Sequence, residues 1–306
     1  MSLAPVAIFV YNRPDHAQQT IESLLKNAEA PRTDLYIFSD GAKADKDKDM
    51  VKAVREYVHT VTGFASVTVI EQQQNIGLAA SITTGVTMVV NKHGKIIQMD
   101  DDLLVSPYFL RFMNDALDHY ENNDKVACVC AFLYPVRKKV PANFFLKGAD
   151  CCIWGTWKRA WDMYEPDGRK LLHELEQRRL TFKFDFDGAY PYTQMLRDQI
   201  EGKNDSWAIR WLASAYLKDK YTLYPGKSMA RNIGMDNSGT NSGQTNSYDQ
   251  TVSMEPIPIL DIPVEQSRAG YVAFREFFTR LYNNYSFFKR KRRRFKRWVK
   301  YLIKGI

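Results

Sequence analysis

Pro5-Val6-Ala7-Ile8-Phe9-Val10, followed at once by Tyr11-Asn12-Arg13-Pro14, sets the pattern that the first half of the chain repeats. The apolar run has the length and composition of a buried strand. Pro14 stands where a helix begins, because a first-turn proline forfeits no helical hydrogen bond. Ala17, Ile21, Leu24, Leu25 and Ala28 then recur at helical spacing. Outward from there the cycle returns. Leu35 to Phe38 reads as a strand ending in Ser39-Asp40-Gly41, with a charged helix near 46–61. Val67 to Ile70 reads as a strand leading through Asn75-Ile76-Gly77 to a helix with Leu78, Ile82, Val86, Val89 and Val90 on one face. Ile96 to Met99 ends in Asp100-Asp101-Asp102, and Ser106-Pro107 caps a helix whose buried face includes Phe109, Phe112, Met113 and Leu117. Val126 to Ala131 adds a further strand. Alternation of this kind predicts an α/β fold with a mostly parallel sheet covered by helices on both faces.

After about residue 140 tryptophans and tyrosines cluster, among them Trp154, Trp157, Trp161, Trp207 and Trp211. Helices are expected near 156–164, 168–180, 190–201 and 205–218, and a strand near 220–224. Residues 232–248 hold twelve Asn, Gly, Ser or Thr in seventeen positions. That is too polar for core, and the stretch reads as a binding loop or lid, or as a plain surface loop.

With 306 residues, 45% hydrophobic and 25% charged, the chain is long and apolar enough to bury a full core, which excludes disorder, collagen-like repeats and a disulfide mini-scaffold. The net charge of +8 belongs to one end: residues 289–306 carry ten Lys/Arg and no acid, leaving 33 basic against 35 acidic residues before them. Cys128, Cys130, Cys151 and Cys152 have poor spacing for structural zinc and read as reduced core thiols. The first apolar run lacks a basic start and is broken by Asn12-Arg13-Pro14, so no signal peptide is expected, and no stretch reads as a membrane span.

The sharpest chemical feature is Asp100-Asp101-Asp102. Three successive carboxylates after an apolar strand repel one another and lose solvation, so something must offset them. In an open α/β sheet, ligands bind at the carboxyl ends of the strands. Carboxylates placed there suit Mn²⁺ or Mg²⁺ holding phosphate oxygens, against the bland reading of a solvated acidic turn. Asn12-Arg13, Asp40 and Asn75-Gly77 occupy the other strand ends, and together the four read as one nucleotide-diphosphate site.

In order, spacing and context, Ala7 to Pro14, Ile37 to Gly41, Asn75 to Ser81 and Asp100 to Leu110 resemble the GT-A fold of nucleotide-sugar glycosyltransferases, in particular the family 2 inverting enzymes. They also resemble the N-acetylglucosaminyltransferase that initiates complex N-glycans. The resemblance covers about the first 130 residues. It implies that Arg13 reaches the donor phosphates, Asp40 accepts from the uracil ring, Asp101 contacts the ribose, Asp102 is the direct metal ligand and Asp100 supports them. It further implies that Asp150 and Trp154 shape the acceptor side, with Trp154 stacking on a sugar or simply buried. Asp205, beside Trp207 at a helix start, is the candidate general base or a helix cap, and the base's position directly before the tryptophan is here Ser206. Asn241 stands where similar bacterial sugar transferases often have histidine. The five histidines show no ligand spacing and read as surface or core residues.

Three segments are expected: 1–130 for the nucleotide sugar, 131–262 for the acceptor and catalysis within the same domain, and a C-terminal helical segment, 263–306. In that last segment Phe295, Trp298, Val299, Leu302, Ile303 and Ile306 make an apolar stripe opposite the basic residues. Such a helix lies in a membrane interface and favours anionic lipid; the rivals are docking of the stripe on the protein's own body and nucleic-acid binding, which would want the neutral body to continue the basic footprint. The expected protein is a metal-dependent inverting transferase, moving a sugar from a UDP-sugar to a saccharide or lipid-linked saccharide. For a bacterial protein its place would be cytoplasmic, on the inner face of the inner membrane. One alternative is a sugar-1-phosphate nucleotidyltransferase, which would want a Gly-rich loop where Tyr11-Asn12-Arg13-Pro14 stands. The other is a non-catalytic, membrane-peripheral glycan-binding protein on the same fold.

Overall fold

A computed structural model of the protein describes residues 2–238 and 245–282. Its elements run β1 (Val6–Val10), α1 (Pro14–Leu25), β2 (Asp34–Ser39), α2 (Lys48–Val58), β3 (Ser66–Glu71), α3 (Leu78–His93), β4 (Lys95–Asp100), β5 (Leu103–Val105), α4 (Phe109–His119) and β6 (Val126–Cys130). There follow β7 (Asn143–Lys147), β8 (Trp154–Trp157), α5 (Lys158–Trp161), α6 (Gly168–Gln177), α7 (Thr181–Phe184), α8 (Tyr192–Ile200), α9 (Trp207–Leu217), β9 (Tyr221–Pro225) and β10 (Ala230–Asn232). Residues 268–282 form a last helix, α10. The basic tail and Asn241 lie outside the described residues. Among the described residues no helix is long and apolar enough to cross a membrane.

The eight-stranded sheet has the order β3-β2-β1-β4-β8-β6-β9-β7. β3, β2, β1 and β4 are mutually parallel, as the strand–helix cycle predicts. β8 enters antiparallel between β4 and β6, β9 pairs parallel with β6, and β7 closes the edge antiparallel to β9. The expected helix at 156–164 is thus corrected: Trp154 to Trp157 is a fully buried strand and only Lys158–Trp161 is helical. The side chains of β8 alternate between two helical layers. Trp154 faces Trp207 and Trp211 of α9, whereas a Cβ on Gly155 would lie 2.9 Å from Met113 and 3.2 Å from Leu117 of α4.

On the β1–β2 side, Phe9 and Phe38 stack at 4.9 Å and present their edges to Gly85 of α3, where a Cβ would come within 2.8 Å of Phe9. Cys128 and Cys130 are core residues of β6, with Cys128 Sγ 3.0 Å from Thr222 Oγ1, and burial pushes the Cys128 thiol up to about 12. All four cysteines are free, and Cys151 and Cys152 are half-buried. Gly85→Val should overpack the Phe9–Phe38 contact and lower unfolding free energy by about 1–3 kcal/mol. Urea denaturation checks this, and an unchanged midpoint at unchanged slope would show that α3 does not rest on that pair.

Candidate functional site

Because β1 lies between β2 and β4, Asn12-Arg13 emerges between Asp40 and the Asp100–Asp102 triplet, with Asn75–Gly77 beyond Asp40. Arg13, the residue before α1, directs Nη2 at Asp101 and at Asp102 Oδ2, the latter at 3.0 Å. Among the described residues its buried Nη1 has no hydrogen-bond partner. A desolvated cationic donor in that state is poised for an anion's oxygen. The carboxylates show why a cation is needed. Desolvation, with Asp102 and Asp101 as like-charged neighbours, pushes Asp100 up to about 7, although Gln98 Nε2 donates to it at 2.9 Å. Desolvation pushes Asp101 up to about 6 against the pull of Arg13.

Asp102 is held from the far end of the chain. β10 pairs with β5, so that Ile233 N–H donates to the Asp102 carbonyl (2.8 Å) and Asn232 Nδ2 to Asp102 Oδ1 (3.3 Å). Gly234 then crosses so closely that a Cβ there would overlap Asp102 Oδ2 and sit 2.8 Å from Arg13 Nη1. Among the described residues no trio of His, Cys, Asp or Glu forms a ready cation cage. Desolvated carboxylate oxygens beside an unpaired guanidinium nitrogen nevertheless fit a hard divalent ion that takes one or two carboxylates and completes its shell with phosphate.

Asp40 departs from its expected part. Its Oδ1 accepts from Gly41 N–H (2.8 Å) and Ile76 N–H (2.9 Å), and its Oδ2 from Asn75 Nδ2 (3.0 Å) and Gly77 N–H (2.9 Å). Four donors fill a carboxylate's capacity, so Asp40 shapes the 75–77 turn and has no free lone pair for a uracil N–H. Asn75 also donates to the Gly41 carbonyl (2.8 Å), and Gly77 takes φ +80, a left-handed value suited to glycine. Asn12 turns its amide toward Asp47 (3.3 Å).

Asp205 and Ser206 divide the two roles open at the start of α9. Ser206 is the N-cap, its Oγ accepting from Ile209 N–H (3.2 Å). Asp205, relieved of capping, is exposed and faces the 75–77 turn: a Cβ on Gly77 would lie 4.0 Å from its Oδ2.

The family described as Glycosyl transferase family 2 matches residues 6–165. The chain belongs to glycosyl transferase family 2. The matched stretch contains every strand end described above and stops before Asp205 and Asn232. No curated protein sequence matches the chain. Among solved structures, the mannosyltransferase PcManGT from Pyrobaculum calidifontis, in complex with GDP-Man and Mn²⁺, is 16% identical over 42% of this chain and 34% of its own, with a TM-score of 0.32. S. aureus TarS 1-349 is 11% identical over 74% of this chain and 59% of its own (TM-score 0.41). GalNAc-T7 with UDP, GalNAc and Mn²⁺ is 10% identical over 53% and 37% (TM-score 0.38). The chain therefore spans about a third of the mannosyltransferase and less than two thirds of the TarS fragment.

In this family 2 chain the structure decides between the two readings of Trp154 and gives Asp150 a structural part. Trp154 is fully buried, its ring 5.7 Å from those of Trp161, Trp207 and Trp211, and has no face to offer a sugar. Asp150 is buried too. It accepts from Cys151 N–H (2.7 Å), Cys152 N–H (2.8 Å) and Tyr224 O–H (2.8 Å), and so fixes the turn ahead of Ile153, whose φ is +47. Half-buried tyrosines near this turn include Tyr134, whose hydroxyl lies 3.5 Å from Asp150 Oδ2, and Tyr192, whose ring stands 4.7 Å from that of Tyr190. Sequence also missed His16, whose Nε2 lies 3.2 Å from Asp236 Oδ2 and ties the 232–238 segment to α1. No spacing signal could reveal a partner so distant in sequence.

Asp40→Asn keeps the size of the side chain but turns an amino group toward one of the two pairs of N–H donors. It should speed amide exchange at Gly77 or Ile76 by about tenfold or more and lower stability by about 1–3 kcal/mol. Unchanged protection at both amides would show that the turn does not depend on this carboxylate.

Proposed function

We propose that the chain is a divalent-cation-dependent, inverting glycosyltransferase that takes a sugar from a UDP-sugar and places it on a saccharide. The observation that carries this reading is the meeting of Arg13, with its unpaired Nη1, and three desolvated carboxylates at the end of β4. Arg13 would bind the diphosphate through Nη1, while Asp102 and the phosphate oxygens would hold Mn²⁺ or Mg²⁺. When bound, the ion neutralises charge on the departing diphosphate. Asp100 and Asp101 supply the negative surroundings that favour a cation there. The turn held by Asp40 forms a wall for the base.

Asp205 would accept the proton of the acceptor hydroxyl as that oxygen bonds to the anomeric carbon. The bond from that carbon to the phosphate oxygen breaks on the opposite face, and the nucleoside diphosphate leaves with its electron pair. Attack from the opposite face inverts the anomeric centre. An exposed carboxylate facing Gly77 suits this role, because the acceptor must arrive from solvent.

A panel of UDP- and GDP-sugars with Mn²⁺, read by thermal shift, tests the donor, since stabilisation follows affinity. Stabilisation by UDP-sugars is expected; a response only to GDP-sugars would overturn the choice of uracil as the donor's nucleobase, and none at all the donor reading. Asp102→Ala should remove the Mn²⁺-dependent part of UDP binding with little change in melting temperature of the free protein. Asp205→Asn should leave donor affinity within about twofold and lower transfer at least a hundredfold. Full transfer by that variant would assign the base elsewhere.

A further inference from the structure

On the acceptor side, an exposed surface extends from α7 to the last described turn of α10. Phe182 is 61% exposed and Tyr282 is 42% exposed. Between them lies a depression of about 340 Å³, lined by Asp187, Gly188, Ala189, Arg275, Thr279 and Tyr282. Phe182 borders it directly, for a Cβ on Gly188 would meet its ring at 3.4 Å. Lys183 (2.7 Å) and Arg275 (3.0 Å) approach Asp187 from opposite sides, so one acid serves two cations. The backbone here is constrained. Phe186, Asp187 and Gly188 take φ of 51, 56 and 78 in succession, and Phe186 is clamped between Tyr271 and Phe278, each 5.1 Å away. Left-handed backbone at two successive non-glycine residues persists only where the surroundings impose it.

Two further facts say what this surface meets. α10 reaches it at Tyr282, and the sequence beyond, from 283 to 306, contains ten Lys/Arg, six Phe, Tyr or Trp, and no acid. The rest of the chain is close to neutral, so the excess positive charge lies in the sequence that follows Tyr282. We infer that the Phe182–Tyr282 face, from which the basic sequence continues, is the side of the protein that rests on an anionic lipid surface. Exposed aromatic rings flanked by Lys and Arg are the composition that inserts at a lipid headgroup boundary and is drawn to negative headgroups.

The same geometry orients the site. Phe278 of α10 packs on Tyr190 (5.2 Å) and Tyr192 (5.9 Å), half-buried tyrosines near the Cys151–Cys152 turn. A saccharide carried on a lipid in that surface would thus meet the acceptor side of the cleft. This assignment of acceptor class rests on the transferase reading; the lipid contact does not.

Sedimentation of the full chain with vesicles of phosphatidylglycerol and phosphatidylcholine, against phosphatidylcholine alone, tests the contact. The wild type should bind the anionic vesicles selectively. Phe182→Asp combined with Tyr282→Asp, with the tail intact, should bind them about tenfold or more weakly. Wild-type affinity in a folded double variant would overturn the inference, as would a wild type that ignores anionic vesicles and binds duplex DNA. Should the double variant not fold, Phe182→Trp gives a second readout: brominated lipid should quench its fluorescence beyond the wild-type level, and no added quenching would overturn the contact. Binding of UDP-sugar and Mn²⁺ in the same variants keeps this result separate from the transferase reading.

Discussion

Charge at the end of β4 is the constraint around which the molecule is arranged. Asp100, Asp101 and Asp102 follow a strand buried on both sides, and burial of one carboxylate without a partner is unfavourable, let alone three. Arg13 reaches the triplet because β1 is the parallel neighbour of β4 in the sheet. Gln98, the cross-strand partner of Trp154, donates to Asp100 from within the same strand. The tertiary structure thus brings one cation to a place that three anions would otherwise make unstable, and it leaves one nitrogen of that cation unspent. A site balanced in this way is receptive to both a further cation and an anion, the two charges that a metal diphosphate carries together.

Position elsewhere follows from rigid packing. Asp205 sits on a helix whose Trp207 and Trp211 lock into Trp154 on the sheet, so an exposed carboxylate is carried by one of the most firmly buried parts of the chain. Asp40 does the corresponding work at the 75–77 turn by tying the ends of β2 and β3 together through four hydrogen bonds.

The first half of the fold was legible because its strands are continuous apolar runs and its helices have one apolar face. Trp154-Gly155-Thr156-Trp157 gave no comparable signal. A strand buried on both faces does not alternate, and its aromatics suit helix or strand equally until β4 and β6 flank it. The strand-end residues were readable from their places after apolar runs. Their division of labour was less so: the saturation of Asp40 depends on backbone donors 36 and 37 residues away, and Ser206 capping α9 instead of Asp205 depends on one hydroxyl's direction. Trp154 could be read as a sugar platform or as a core ring, because a residue name does not tell which neighbours cover it.

The passage of Gly234 over Asp102 makes the site depend on counting as well as on chemistry. The β5–β10 ladder fixes Leu103 opposite Asn232, and two residues further on the only residue type without a side chain lies against the carboxylate. Inserting or deleting one residue in that short run would bring the side chain of Ile233 or Met235 to the same spot. The frame of the segment would then be lost with every acid and base intact. Spacing between a ladder and a loop is therefore as much a part of this site as any of its charges, and an alteration that leaves all its functional groups in place can still close it.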